Sequence, residues 1–124
     1  MHLAFITVGA PGHVLVTPPL VFELVRRGVR VSYFTSENFR ATIEPTGARF
    51  IAVDTVLTNQ GEAKEDIETD MMAELPLRFL SEAEAAIGQI LPVLEKDPPD
   101  AVMTDALAIA GRLAASALKV PLIM

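Results

Sequence analysis

Apolar runs and helix-like repeats alternate along this chain, with glycine and proline between them. Residues 3–8 (LAFITV) form a continuous apolar run that ends at Gly9, as is typical of a central parallel strand buried on both faces. Further runs rich in apolar, β-branched or aromatic residues predict four more strands, at 29–35, 49–53, 101–104 and 120–124.

Helical patterns occupy the segments between these strands. Thr17-Pro18 should begin the first helix, with the threonine hydroxyl as N-cap and the proline at the first helical position, and Gly28 should end it. The other predicted helices span 36–44, 81–94 and 107–118. Strands that alternate with helical crossovers indicate a parallel sheet. The predicted fold class is therefore α/β, a Rossmann-like parallel sheet with strand order 3-2-1-4-5.

The segment between the third strand and the helix at 81–94 has a different character. Residues 58–70 are acidic and polar, and the part from Glu62 to Asp70 is interpreted as a solvated surface loop, with a mobile lid as the alternative. An apolar cluster follows, interrupted by Pro76, and consists of Met71, Met72, Leu75, Phe79 and Leu80. Core packing is the expected role of this cluster.

Composition limits the classes of function. A length of 124 residues suits one domain, and the absence of cysteine excludes disulfides, iron–sulfur clusters and thiolate zinc sites. A net charge of −6 should repel phosphate backbones, so no nucleic-acid partner is expected. Two histidines are too few for a histidine-based metal cage.

Targeting signals are missing from the pattern. The apolar run at 3–8 is too short for a signal peptide and lacks a basic flank, and no run approaches the ~20 residues of a membrane span. A cytoplasmic location and no membrane partner are therefore expected. The chain stops inside its last predicted strand, and a parallel sheet needs both faces covered. We expect it to be the front part of something larger, either a fragment or one piece of a split protein.

His13 and Asp105 are the residues most capable of chemistry. In a sheet of order 3-2-1-4-5, strands 1 and 4 are neighbours, and ligands bind where their carboxyl ends meet. His13 follows strand 1 and Asp105 follows strand 4, so a carboxylate could hold one ring nitrogen while the other takes a proton. Two simpler roles remain open: His13 as a solvated residue near a helix start and Asp105 as a helix cap. His2, the other histidine, is expected at the surface.

The order and spacing of short motifs along the whole chain resemble a known family. The motifs are Gly12-His13-Val14, Thr17, Pro19-Leu20-Val21, Glu23 to Gly28, Arg30-Val31-Ser32-Tyr33, Pro99-Asp100-Ala101-Val102 with Asp105, Ala114-Ala115 and Val120-Pro121. Together they are similar to the opening of the UDP-glycosyltransferases, above all the bacterial macrolide and natural-product glycosyltransferases of the GT-B fold. The resemblance implies that residues 1–124 are a partial N-terminal acceptor-binding domain, without the C-terminal domain that binds the nucleotide sugar.

This resemblance implies a reaction and residue roles. The reaction is inverting transfer of a sugar from a nucleotide donor, a UDP-sugar, to a hydroxyl of a small-molecule acceptor, with no metal ion and no other cofactor. His13 would be the general base and Asp105 its orienting partner. The acceptor would contact residues beside His13 and in the variable helical region, namely Pro11, Gly12, Met72, Leu75 and Phe79. Leu15 and Val16 stand where the family has Asn-Pro, which puts the shape of this loop in doubt.

The alternatives are a dinucleotide-binding domain and a non-catalytic module of the same α/β topology. A dinucleotide-binding domain of an oxidoreductase needs G-x-G-x-x-G, whereas Gly9 and Gly12 are spaced as G-x-x-G and no third glycine occurs before Gly28. A receiver domain needs an acidic pair after strand 1, and residues 9–13 contain no carboxylate. A non-catalytic α/β fragment that binds a small ligand is compatible with every feature above.

Overall fold

The sheet is parallel throughout and has the predicted strand order. The computed structural model describes residues 1–54 and 69–124, with side chains from residue 76 onward in the second range. In these ranges the strands pair in the order β3-β2-β1-β4-β5, which confirms the α/β fold class. Their bounds are His2–Ile6 (β1), Arg30–Thr35 (β2), Arg49–Ala52 (β3), Ala101–Thr104 (β4) and Leu122–Ile123 (β5).

Helices connect the strands as crossovers. Their bounds in the described ranges are Pro11–Val14 (α1), Pro18–Arg26 (α2), Arg40–Ile43 (α3), Thr69–Lys96 (α4) and Ile109–Leu118 (α5), with 3-10 turns at Glu37–Phe39 and Glu44–Thr46 on either side of α3. Helix α2 begins after Thr17 and is followed by Gly28 with a φ of 89°, as the sequence predicts. The prediction of a hydroxyl N-cap is wrong, because Thr17 makes no side-chain cap hydrogen bond.

Helix α4 is twice as long as the segment predicted for it. It begins at Thr69, runs through Pro76 and Pro92, and ends at Lys96, whereas the pattern predicted only 81–94. Each internal proline removes one helical hydrogen bond. Both proline side chains are exposed, so water can reach this side of the helix, while Ile90 and Leu94 pack on the sheet from the opposite side.

Two hydrophobic cores cover the two faces of the sheet. One core joins the sheet to α4 and α5, and includes Ala4, Ile6, Phe34, Ile90 and Val102. The other joins it to α1, α2 and α3, and includes Phe5, Val14, Val21, Tyr33 and Phe50. Side chains of β1 alternate between the cores, so this strand is buried on both faces, as its apolar run predicts.

His2 is buried, so the prediction of a surface position is wrong. Only 4% of this residue is exposed, and its Nε2 lies 2.8 Å from Ser32 Oγ on the neighbouring strand. The backbone of His2 also exchanges hydrogen bonds with Asp100 in the turn before β4. The turn at 97–100 therefore covers the His2 ring, which the sequence pattern alone did not predict.

Several predictions fall on residues outside the described ranges. Residues 62–68 of the predicted surface loop lie outside them, as do the side chains of Met71, Met72 and Leu75, whose backbone belongs to α4. The last two residues of that loop, Thr69 and Asp70, are instead the first residues of α4, so the loop prediction is wrong at this end. Within residues 1–54 and 69–124, no helix is long and apolar enough to cross a membrane.

Candidate active site

His13 lies on a single helical turn that follows the first strand. Strand β1 ends at Ile6, and α1 begins at Pro11. The carbonyl of Ala10 accepts hydrogen bonds from the backbone N–H groups of His13 and Val14, at 3.0 and 3.1 Å. Proline suits this start because it needs no N–H partner there. The turn holds the His13 ring partly exposed while the next side chain, Val14, is fully buried.

Asp105 is fixed by backbone groups on two sides. Its Oδ1 accepts hydrogen bonds from the N–H groups of Leu107 and Ala108, at 2.8 and 2.9 Å. Its Oδ2 accepts one from the N–H of Val8, at 3.0 Å, in the loop after β1. Asp105 therefore does cap the backbone N–H groups that precede the helix, and it does so through Oδ1. The other oxygen reaches across to the loop that carries His13.

The two side chains lie close together, as the topology predicts. His13 Nδ1 is 3.4 Å from Asp105 Oδ2, slightly longer than an ordinary N–H···O hydrogen bond. The side chains are 31% and 21% exposed, so the pair is partly shielded and still reachable from solvent. Catalytic hydrogen bonds are often long without substrate and shorten when it binds. The proximity is confirmed, whereas the catalytic roles of both residues stay predictions.

This geometry defines what the pair can do chemically. Asp105 faces Nδ1 of His13, which favours the tautomer with the proton on that nitrogen. The lone pair then lies on Nε2, for which the described part of the chain offers no hydrogen-bond partner. A ring of this kind can take a proton through Nε2 while the carboxylate stabilises the resulting imidazolium.

A mostly apolar cavity of about 40 Å³ lies at the carboxyl ends of β1 and β2, and neither His13 nor Asp105 lines it. It is bounded by α4 and by the start of α5, and its lining includes Val8, whose N–H binds Asp105. Phe79, one of the predicted acceptor contacts, also lines it. Pro11 and Gly12 are exposed next to His13 and are not part of this lining. The side chains of Met72 and Leu75 are outside the described set.

The cavity wall includes a residue that the sequence analysis did not consider. Thr35, at the end of β2, is 2% exposed, and its Oγ1 is buried without a hydrogen-bond partner among the described residues. Its position at the carboxyl end of a strand next to β1 is the signal that could have marked it.

Exposed apolar residues follow His13 and Asp105 closely in the sequence. Leu15 and Val16, which follow α1, are 55% and 72% exposed, and Leu107, next to the Asp105 cap, is 43% exposed. In the described part of the chain, no group of three or more His, Cys, Asp or Glu residues could hold a metal ion.

Comparisons with known proteins find glycosyltransferases among the relatives of this chain. The chain is 32% identical over 116 residues to the NDP-glycosyltransferase YjiC of Bacillus licheniformis, a match that covers 92% of this chain and 29% of the relative. It is 28% identical to the oleandomycin glycosyltransferase of Streptomyces antibioticus, over 97% of this chain and 28% of that protein. No protein-family model matches.

A solved glycosyltransferase structure has the same fold as this chain over nearly all of its length. The crystal structure of CalG4, the calicheamicin glycosyltransferase, matches with a TM-score of 0.85 and 30% identity, over 98% of this chain and 31% of that one. The resemblance stated from the sequence is therefore confirmed: the chain is similar, over nearly all its length, to the N-terminal part of GT-B natural-product glycosyltransferases. It spans between 28% and 31% of the length of these relatives.

Proposed function

We propose that this chain supplies the acceptor site and the general base of an inverting glycosyltransferase. The observation that carries the proposal is the distance of 3.4 Å between His13 and Asp105 at the point where β1 and β4 meet. The names of the relatives support sugar transfer over hydride transfer with a dinucleotide.

The proposed step moves one proton and exchanges one bond. His13 Nε2 takes the proton of an acceptor hydroxyl as that oxygen forms a bond to the anomeric carbon of the sugar. The bond from this carbon to the nucleotide diphosphate breaks on the opposite face, which inverts the configuration. Asp105 holds the Nδ1 proton and stabilises the imidazolium, and the diphosphate leaves with the bonding electrons.

The acceptor in this proposal is a largely apolar small molecule with a free hydroxyl. Leu15, Val16 and Leu107 follow the two residues of the pair closely in the sequence and are exposed, and exposed apolar surfaces bind apolar ligands through burial. The names of two relatives include the small molecules oleandomycin and calicheamicin. Among the predicted contacts, Phe79 lines the cavity, and Pro11 and Gly12 lie beside His13.

The donor in this proposal is a nucleotide-diphosphate sugar, specifically a UDP-sugar. The Bacillus relative is named as an NDP-glycosyltransferase, a name that leaves the base open. Groups that grip the nucleotide would belong to a C-terminal domain or a complementary chain. The step uses no metal ion and no cofactor other than the nucleotide sugar.

The direct test is His13→Ala in the complete gene product that carries this chain. Turnover with an acceptor alcohol and UDP- or thymidine-diphosphate sugars should fall by about 10³-fold, because no other described side chain can replace the base. Acceptor affinity, measured by calorimetry, should change less than threefold, since the ring gives little binding area.

His2→Ala is the matched control, assayed well below its unfolding temperature, and it should transfer sugar at the parent rate. Turnover of His13→Ala within a few-fold of the parent would remove His13 from the mechanism. Acceptor binding by a parent protein that transfers no sugar would instead favour the non-catalytic ligand-binding alternative.

A further inference from the structure

A buried tyrosine hydroxyl connects the two ends of the loop that carries His13. Tyr33 lies on β2 and is fully buried. Its hydroxyl is 3.3 Å from the hydroxyl of Thr7, just after β1, and 2.8 Å from the hydroxyl of Thr17, just before α2. Both threonines are themselves more than nine-tenths buried. The chain leaves the sheet at one partner of Tyr33, passes through His13 and returns at the other.

The protons of these hydroxyls can be assigned from the contacts. Thr17 Oγ1 is 2.7 Å from the backbone carbonyl of Val14, which can only accept, so the threonine donates there. Tyr33 must then donate to Thr17 Oγ1, and Thr7 donates to the tyrosine oxygen. The result is a directed chain of three hydrogen bonds from the end of β1 to the residue next to His13. Bonds connected in this way strengthen one another.

Packing holds the tyrosine ring in place independently of its hydroxyl. The ring stacks on Phe5 with centroids 4.9 Å apart and planes 13° apart. A phenylalanine at position 33 would keep this contact and avoid burying a polar group. The hydroxyl is therefore not needed to fill the core, and the partners that it reaches are both at the ends of the His13 loop.

The environment keeps this hydroxyl neutral. Burial raises the pKa of Tyr33, and the negative charge of the Asp105 carboxylate raises it further, against the lowering effect of the two threonines. Burial and the Asp105 charge both favour the neutral phenol, which is the form that can donate to Thr17.

We propose that Tyr33, through Thr7 and Thr17, is a positioning residue that holds the His13 turn at its distance from Asp105. The inference rests on the proposed function in one respect, because an effect on turnover requires that His13 act as the base. The effect on the loop itself does not require it. Displacing a catalytic group by about 1 Å can cost up to 10²-fold in rate.

The test is Tyr33→Phe in the complete gene product, with two measurements. The first is steady-state kinetics, in which kcat should fall about tenfold while KM for the acceptor changes less than twofold. The second is amide hydrogen exchange at His13, Val14, Leu15 and Thr17, whose N–H groups are all hydrogen-bonded within the loop. Exchange there should accelerate about tenfold without a matching change in the β strands.

Ser32→Ala is the matched control, because it removes a buried hydroxyl from the same strand, bonded to His2 and not to the loop. It should leave kcat and loop exchange unchanged. If Tyr33→Phe behaves like Ser32→Ala in both measurements, the positioning role is overturned. Thr17→Val removes the next link of the chain and carries the same expectations if Tyr33→Phe does not fold.

The two measurements separate this inference from the proposed function. Faster loop exchange in Tyr33→Phe, together with full turnover in His13→Ala, would support the connection and reject His13 as the base. Loss of turnover in His13→Ala, with unchanged loop exchange and kcat in Tyr33→Phe, would support His13 as the base and reject the positioning role of Tyr33.

Discussion

The sheet carries a histidine beside an aspartate at each of its two ends. At the amino end of β1, His2 Nδ1 is 3.8 Å from Asp97 Oδ1. Beyond its carboxyl end, His13 Nδ1 is 3.4 Å from Asp105 Oδ2. The residue types and the nitrogen that faces the carboxylate are the same in both pairs. Their surroundings differ in burial and in hydrogen bonding.

In the first pair, both ring nitrogens of the histidine and both oxygens of the aspartate already have nearby hydrogen-bonding partners. His2 Nε2 is bonded to Ser32, and Nδ1 lies 3.3 Å from the carbonyl of Pro98. Asp97 makes two hydrogen bonds to the guanidinium of Arg30. The imidazole is 95% buried, so neither ring nitrogen can meet a substrate. This pair ties β1 to the turn before β4 and contributes to the fold.

The second pair is fixed on one side and open on the other. Backbone N–H groups hold both oxygens of Asp105, whereas Nε2 of His13 faces no partner in the described part of the chain. The carboxylate lies beside Nδ1, and Nε2 of the partly exposed ring stays accessible, which is the arrangement that a general base needs. The comparison shows that unused hydrogen-bonding capacity, and not the pair of residue types, marks the candidate site.

Asp105→Asn should produce the largest effect among the variants that compare the two pairs. If the amide oxygen keeps the bonds to Leu107 and Ala108, its NH₂ group faces Nδ1 of His13, which must then accept a hydrogen bond. The ring proton moves to Nε2, and the base is lost. Turnover should fall by about 10²-fold, less than for His13→Ala, in steady-state assays with saturating acceptor.

Asp97→Asn makes the same substitution in the other pair and is the control. It weakens a contact to Arg30 and should leave turnover at the parent level. An equal loss of turnover in both variants would mean that the two ends of the sheet do not differ in function.

His2→Ala should have the opposite profile, with a loss of stability and no loss of turnover. The substitution removes a buried ring and leaves the Ser32 hydroxyl without its partner, which costs about 2 kcal/mol of unfolding free energy. His13→Ala removes a partly exposed ring with no buried partner and should cost about 0.5 kcal/mol or less. Urea denaturation of both variants measures the difference, and equal midpoints would contradict it.

The sequence was sufficient to predict the topology and the meeting of His13 with Asp105. Both residues follow predicted parallel strands, and the doubly wound strand order 3-2-1-4-5 makes strands 1 and 4 neighbours, so no side-chain detail was needed. The chain from 36 to 44 was also correctly predicted as helical, although it combines 3-10 turns with one α-helical turn. Helices and strands with a strong hydrophobic periodicity and clear end signals can be predicted because they depend on the local sequence.

Features that depend on distant partners were not predictable in this way. The burial of His2 depends on the turn at 97–100, which lies far away in the sequence. Thr17 precedes Pro18 at a helix start, which is the local pattern of an N-cap. Its hydroxyl is instead hydrogen-bonded to the Tyr33 hydroxyl and to the carbonyl of Val14. In both cases a tertiary hydrogen bond replaces the interaction that the local sequence suggests.

The smallest expected effect is a pH dependence of stability at the amino end of the sheet. Hydrogen bonds from Arg30 lower the pKa of Asp97 below the ordinary aspartate value of 3.8. The folded state therefore binds this proton more weakly than the unfolded state does, so acidification favours unfolding. The contribution of the pair is fully present above about pH 5 and is lost as the pH falls below 3.8 toward the folded pKa.

Arg30→Gln should flatten part of this dependence, because it removes the partner that lowers the pKa of Asp97. Between pH 5 and 3, the variant should lose slightly less unfolding free energy than the parent protein, as measured by urea denaturation at each pH. Arg112→Gln is the control, since this exposed arginine contacts a backbone carbonyl and no carboxylate in the described residues. It should follow the parent curve. Parallel curves for Arg30→Gln and the parent would show that the pair at the amino end does not contribute to stability through the ionisation of Asp97.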